Sequence, residues 1–208
     1  MKETPFWYHL LWGLALIIFK LLFRIRIYGR ENVPSRGGVI LAANHLSYLD
    51  PIVLGLLTPR KMNYMAKEEL FKKFLFRLLI ERLGAFPLKR DRIDRSAYEK
   101  AISLLQEGRV LALFPEGTRG RRGKLGYFKK GVSRIALKTG VPIVPVIIRG
   151  TDEALPKGRK MIKLARIEVR VGKPLSTEGF SRGKDSKKKI DDLCEELRKR
   201  MAELGALR

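Results

Sequence analysis

The chain begins with one long apolar stretch and then changes rhythm. Phe6 to Phe23 reads FWYHLLWGLALIIFKLLF, with His9 and Lys20 as its only ionisable groups. Beyond it, short apolar runs alternate with amphipathic ones. The short runs predict strands over residues 24–28, 39–44, 62–66, 85–88, 110–114, 142–148 and 165–171. LALF and VPIVPVII are apolar at every position, as strands covered on both faces are. ARIEVRV sets Ile167, Val169 and Val171 between charged side chains, the alternation of a half-exposed strand. Helices are predicted over residues 51–57, 68–82, 95–107, 132–139 and 186–204. In the last of these Ile190, Leu193, Leu197, Met201 and Leu204 recur at helical spacing, and Ser186 can cap its start. Strands alternating with helices predict a single α/β domain over residues 24–208, its central sheet mostly parallel and flanked by helices. A hydrophobic, membrane-associating helix over residues 1–23 precedes it. There is no internal repeat and no linker that splits the core; residues 179–189 read as a mobile surface loop.

As a helix, the first apolar stretch is roughly 27 Å long, a marginal span of the hydrocarbon layer. It lacks the basic start and small-residue cleavage site of a signal peptide. Phe6, Trp7, Tyr8 and Trp12 cluster at one end, Lys20, Arg24, Arg26 and Arg30 at the other. That polarity suits an anchor at the cytoplasmic face of the cell membrane. It can span the bilayer or enter one leaflet; the competing reading is a buried core helix. Residues 67–83, KEELFKKFLFRLLIERL, form a second basic amphipathic stretch, which can lie on anionic lipid or pack on the sheet.

Charge narrows the partners. With 44 Lys and Arg against 21 Asp and Glu, the net charge is +23. Such a surface seeks anions: nucleic acid, acidic lipid headgroups, an anionic substrate or an acidic protein. No helix-turn-helix, zinc finger or RNA-recognition signature is present, and the apolar stretch argues against nucleic acid. The single cysteine, Cys194, excludes an internal disulfide and a thiolate zinc site, and its place beside the last apolar stripe suits packing.

Two stretches carry chemistry. The first is NHLSYLD, Asn44 to Asp50, directly after a buried strand. Positions five apart lie about 140° from each other on a helix, so His45 and Asp50 cannot pair along one. Asp50 precedes Pro51, however, and is expected to cap a helix that starts there, with His45 in a loop folded back over it. A carboxylate beside an imidazole fixes its tautomer and stabilises the imidazolium, which makes a general base for an O–H. The plainer reading is a helix cap and a structural histidine. No G-x-S-x-G elbow supplies a nucleophile.

The second stretch is PEGTRGRRGKLGYFKKG, Pro115 to Gly131, in a loop at a strand's carboxyl end, where α/β sheets place ligands. Gly117 allows close backbone approach, Thr118 offers a hydroxyl, and Arg119 can grip a phosphate with its fork of donors. Glu116 can orient Arg119 or bond a substrate hydroxyl. GAFPLKR, Gly84 to Arg90, is a further anion-site candidate; G-x-x-x-x-G-K-[ST] is absent. The alternative for both is a solvated basic loop.

NHLSYLD, with FPEGTR some seventy residues later, resembles the glycerolipid acyltransferase family. All four blocks of that family have counterparts in order: Asn44-His45 to Asp50, Gly84 to Arg90, Phe114 to Arg119, and Val141 to Val146. Gly120 departs from the usual serine and Lys89 from a frequent acidic residue. The resemblance implies transfer of a fatty acyl group from a thioester, on acyl-carrier protein or coenzyme A, to the sn-2 hydroxyl of 1-acylglycerol 3-phosphate (lysophosphatidic acid). On it His45 is the base, Asp50 its orienter, Arg119 and Arg90 the phosphate grip, and Glu116, Gly117 and Thr118 the walls of the acceptor site. No metal and no resident cofactor are implied. Glycerol 3-phosphate or another lysophospholipid is the alternative acceptor, and a non-catalytic basic membrane-binding protein the alternative class.

Overall fold

The computed structural model describes residues 4–89, 94–120, 122–156, 158–159, 161–180 and 186–206, the side chain of Ser186 excepted. Seven strands form one sheet: β1 (Arg26–Tyr28), β2 (Val39–Ala43), β3 (Met62–Lys67), β4 (Ala85–Leu88), β5 (Val110–Leu113), β6 (Ile143–Arg149) and β7 (Glu168–Val171). Their order is β1-β7-β6-β2-β5-β3-β4. β6, β2, β5, β3 and β4 run parallel; β7 lies antiparallel on β6 and carries β1 with it. The helices are α1 (Phe6–Phe23), α2 (Asp50–Gly55), α3 (Phe74–Arg82), α4 (Arg95–Gln106), α5 (Gly131–Thr139), α6 (Thr151–Ala154) and α7 (Ser186–Ala206).

β2 shows why the central runs are apolar throughout. Val39, Leu41 and Ala43 face a core shared with Phe19 and Phe23 of α1 and Val53 and Leu54 of α2. Ile40 and Ala42 face the other core, against Leu105 of α4, Ile135 of α5 and Leu193, Leu197 and Met201 of α7. Each full burial of such a side chain contributes about 1.5–3 kcal/mol. At the half-exposed β7, Val169 and Val171 are buried while Glu168 and Arg170 are not.

Several expectations change. The helix over 68–82 is broken: Glu68–Phe71 is a 3₁₀ turn, Lys73 is extended (φ −89°, ψ 113°), and α3 starts only at Phe74. Nor does α3 pack as a sheet-covering helix, since none of its residues is buried. The strand at 165–171 shortens to Glu168–Val171, because Ala165 and Arg166 precede the register with β1, which begins at Glu168. α6 was not foreseen; four residues are too few for a helical period to register. Of the loop expected over 179–189, residues 181–185 lie outside the described residues, and the rest belongs to a 3₁₀ turn and to α7.

α1 is not a core helix. Only Tyr8, Phe19 and Phe23 are buried, while Phe6, Leu10, Leu14, Ile17 and Leu21 stand largely exposed. It is long and apolar enough to cross a membrane. It is tied to the sheet at both ends: Met62 N–H donates to the Tyr8 hydroxyl at 3.2 Å, and Ile167 N–H to the Phe23 carbonyl at 3.0 Å.

Candidate active site

The site lies at the carboxyl ends of β2 and β5, which are neighbours in the sheet. Where β2 stops, Asn44 extends its pairing with β6 by side chain. Its amide N–H donates to the Ile148 carbonyl at 2.9 Å, and its oxygen accepts the Ile148 N–H at 2.7 Å. That clasp sets the direction in which His45 leaves the sheet.

His45 is held on three sides. Its Nδ1 lies 2.8 Å from Asp50 Oδ2. Its ring stacks on Phe114, the residue after β5, with centroids 4.1 Å apart and planes 21° from parallel. Its carbonyl accepts the Gly120 N–H at 2.8 Å, which ties the two candidate loops together. An ionised carboxylate only accepts, so the hydrogen of the neutral ring sits on Nδ1. Nε2 is then the nitrogen left to take a substrate proton. The side chain is 14% exposed, so it can be reached but is mostly shielded from water.

Asp50 is wholly buried. Its Oδ2 accepts from Leu46 N–H at 2.6 Å and Ser47 N–H at 2.7 Å besides His45, and its Oδ1 from the Thr151 hydroxyl at 2.6 Å. A carboxylate removed from water needs such donors. The expected helix cap is corrected here. α2 starts at Asp50 itself, Leu49 holds the cap position, and there is no side-chain cap bond. The aspartate points back into the loop instead of along the helix, and Pro51 relieves the first turn of one unsatisfied N–H.

The second loop supplies the other wall. Glu116 is 8% exposed, and its Oε2 accepts the Gly126 N–H at 3.0 Å. It makes no ion pair with Arg119, so of its two expected roles orienting that arginine is not the one seen. Gly117 has φ +70°, and a Cβ there would come within 2.9 Å of the Lys129 side chain. Thr118 is exposed. Arg119 lies over Tyr48 of the first loop, its guanidinium carbon 3.8 Å from the ring centroid, with Nη2 donating to the hydroxyl at 3.1 Å. Its Nη1 is buried without a hydrogen-bond partner. An orphaned guanidinium donor on the loop tied to the histidine is a place for an anionic oxygen.

Arg90 lies outside the described residues. Its block leads off β4, which is separated from β5 by β3, so that block is the most remote of the four from His45 in the sheet order. Thr151, Phe114 and Tyr48 are the partners that residue-by-residue reading passed over. Only Thr151 had a signal, as the first hydroxyl after the carboxyl end of β6, the strand beside β2. Cys194 is half-buried against the second core, and burial raises its thiol pKa, as suits a packing residue. Among the described residues no group of three or more His, Cys, Asp or Glu side chains could hold a metal ion.

A carboxylate-oriented imidazole at the carboxyl edge of a mostly parallel sheet, with an unsatisfied arginine on the adjoining loop, is suited to taking a proton from a hydroxyl near an anionic group. Comparison with known proteins supplies the family. The family model described as Acyltransferase matches residues 24–149. The 1-acyl-sn-glycerol-3-phosphate acyltransferase of Bacillus subtilis (strain 168) is 30% identical over 189 residues, covering 90% of this chain and 92% of that one. A chloroplastic protein of the same name from Arabidopsis thaliana is 32% identical over 185 residues, 87% of this chain but 49% of its own length. The crystal structure of the 1-acyl-sn-glycerophosphate (LPA) acyltransferase of Thermotoga maritima matches with a TM-score of 0.76 at 32% identity, over 97% of this chain and 80% of that one. The chain belongs to the acyltransferase family and is an enzyme.

Proposed function

We propose that this enzyme transfers a fatty acyl group from an acyl thioester to the sn-2 hydroxyl of 1-acyl-sn-glycerol 3-phosphate at a membrane surface, giving phosphatidic acid. The observation that carries the reading is His45, fixed by the buried Asp50 and tied through its carbonyl to Gly120 of the loop that carries the unpartnered Nη1 of Arg119. His45 Nε2 takes the hydroxyl proton as the oxygen attacks the thioester carbonyl. The tetrahedral intermediate collapses with loss of the thiolate, which recovers the proton from the imidazolium. The acyl group thus passes directly from sulfur to oxygen, and Asp50 stabilises the imidazolium meanwhile. Arg119 holds the acceptor phosphate, with Tyr48 positioning its guanidinium; Glu116, Gly117 and Thr118 shape the acceptor site, and Arg90 is a second phosphate ligand.

The donor is an acyl-carrier protein or coenzyme A thioester; both are anionic and suit the charge of +23. α1 anchors the enzyme where its acceptor resides, with the aromatic end in the bilayer interface and Lys20, Arg24 and Arg26 at the cytoplasmic face. The reaction needs no resident cofactor.

The test is acyl transfer to 1-acylglycerol 3-phosphate in vesicles, wild type against His45→Ala, with both donors in parallel. General-base help is worth about 10²–10⁴ in rate, so the variant is expected to lose at least a hundredfold. Wild type inactive with both donors would overturn the acceptor assignment. A variant within tenfold of wild type would remove His45 as the base.

A further inference from the structure

α1 is not the molecule's only exposed apolar surface. Two other segments carry one, and they flank the site on opposite sides. In the order β6-β2-β5-β3, the site sits on β2 and β5. The chain leaving β3 runs through the 3₁₀ turn into α3, where Phe74, Leu75, Leu78 and Leu79 are 71%, 80%, 47% and 54% exposed. The chain leaving β6 passes through α6 to Met161, Ile162 and Leu164, which are 79%, 58% and 76% exposed. Apolar side chains left singly in water need no explanation, but clusters of this size do.

Both clusters are set among cations. Lys72, Lys73, Arg77 and Arg82 border the first, and Arg159, Lys163 and Arg166 the second; all are exposed. Carboxylates nearby are already engaged: Glu81 with Arg77, Glu69 with Lys67, and Glu68 with Lys89. Apolar side chains interleaved with exposed cations match the boundary between acyl chains and anionic headgroups, not the core of a protein interface, where lysine is depleted.

The second segment is also continuous with α1. Its start is fixed to the histidine loop, because the Ser47 hydroxyl donates to the Leu155 carbonyl at 2.9 Å. It folds back through Lys163 N–H on the Ala154 carbonyl at 2.8 Å, and its end meets the carboxyl end of α1 through Ile167 N–H and Phe23. One strap therefore runs from the site to the membrane-compatible helix.

We propose that the enzyme docks on an anionic bilayer through α3 and residues 161–166 as well as through α1. The two patches set the mouth between β2 and β5 against the headgroups, so a lipid acceptor enters without leaving the interface. This rests on the proposed function only for the direction of entry; the docking itself is tested without activity.

The experiment uses the full chain with Cys194→Ser and single cysteines at Leu75, Ile162, Leu14 or Lys138, each labelled with a fluorophore. Vesicles of phosphatidylcholine with a quarter phosphatidylglycerol carry headgroup-proximal nitroxides. The expected result is severalfold quenching at Leu75, Ile162 and Leu14 and none at Lys138, an exposed position on α5, a helix of the opposite sheet face. Quenching at Leu14 alone would overturn the proposal, whether those patches face water or another protein. Equal quenching at Leu75 and Ile162 on pure phosphatidylcholine would overturn the role given to the cations. No quenching at Leu14 would overturn the α1 anchor as well. None of these outcomes depends on acyl transfer, so failure of the activity assignment is separately visible.

Discussion

Asp50 allows its charge to be separated from its shape. In Asp50→Asn the amide oxygen can occupy the place of Oδ2 and still accept from Leu46, Ser47 and His45, now at 2.6, 2.7 and 2.8 Å from the carboxylate. The amide NH₂ then faces the Thr151 hydroxyl, which can turn from donor to acceptor. Every buried group keeps a partner, and four charge-assisted bonds become neutral ones, at a cost of about 1–3 kcal/mol in stability. The chemical cost is larger. The imidazolium formed in the transition state no longer faces a negative charge, and about 10²–10⁴ in kcat is lost, which corresponds to roughly 3–5 kcal/mol. Asp50→Ala behaves differently. It strands two buried N–H groups and a buried hydroxyl at about 1–3 kcal/mol each, a sum comparable with the whole stability of a domain. The assay pairs urea unfolding in detergent with kcat on vesicle-borne acceptor. Asp50→Asn should unfold near wild type and be nearly inactive; Asp50→Ala should be unfolded or nearly so. An Asp50→Asn enzyme within tenfold of wild-type kcat would refute the reasoning and leave Asp50 as a loop brace.

Three further perturbations separate neighbouring roles. Arg119→Ala should raise the acceptor KM at least tenfold and leave the donor KM unchanged, and Arg119→Lys should not restore it, because an ammonium cannot both bond the Tyr48 hydroxyl and present a fork to a phosphate; an unchanged acceptor KM removes Arg119 from phosphate binding. Thr151→Val leaves Asp50 Oδ1 without its donor and should cost about 1–3 kcal/mol of stability, with a fall in kcat that Thr151→Ser reverses; a Thr151→Ser enzyme as poor as Thr151→Val would mean that the methyl, not the hydroxyl, matters. Asp94 caps α4 and is held at a pKa of about 2 by the Lys89 N–H, the Ser96 hydroxyl and the Ala97 N–H. A depressed carboxyl stabilises above its unfolded value and loses that contribution as pH falls through the folded one. The stability deficit of Asp94→Ala should therefore be full above about pH 4 and shrink towards pH 2 in urea titrations; a pH-independent deficit would mean the charge is irrelevant there.

The fold was legible where the residues themselves impose it. β2, β5 and β6 are buried on both faces, so each position had to be apolar and the runs stood out. β4 and α5 were found to within a residue for similar reasons of pattern. The bounds of α3 misled because the break at Lys73 leaves no compositional trace, while its amphipathicity left lipid and sheet equally open as the surface it meets. In the site, His45 and Asp50 do pair, although the argument from Pro51 made Asp50 a helix cap that it is not, and the aspartate's other partners were not foreseen. Leu46 and Ser47 bond it through backbone N–H groups, which no sequence displays. Thr151 is 101 residues away and arrives only because β6 lies beside β2. Phe114 was visible as the end of a strand, not as the surface on which His45 rests.

Net charge alone would have assigned every cation to a partner, and the structure divides them by edge. At the amino edge of the sheet Arg60 donates to the carbonyls of Pro34, Gly37 and Gly108 at 2.7, 2.5 and 2.6 Å, and burial lowers its pKa. It fastens the segments that enter β2 and β5, where an anion would compete with the fold itself. Arg30 is similarly spent, with Nε on the Leu57 carbonyl at 3.1 Å and its guanidinium over Trp12. At the carboxyl edge the pattern reverses. Arg119 keeps a donor unsatisfied, and Arg122 pairs with Glu153 in a place where it joins the second loop to α6, the helix that braces Asp50. Arg60 and Arg30 are thus held by backbone carbonyls, whereas Arg119 is left incompletely paired. That incompleteness is what an anionic substrate can use.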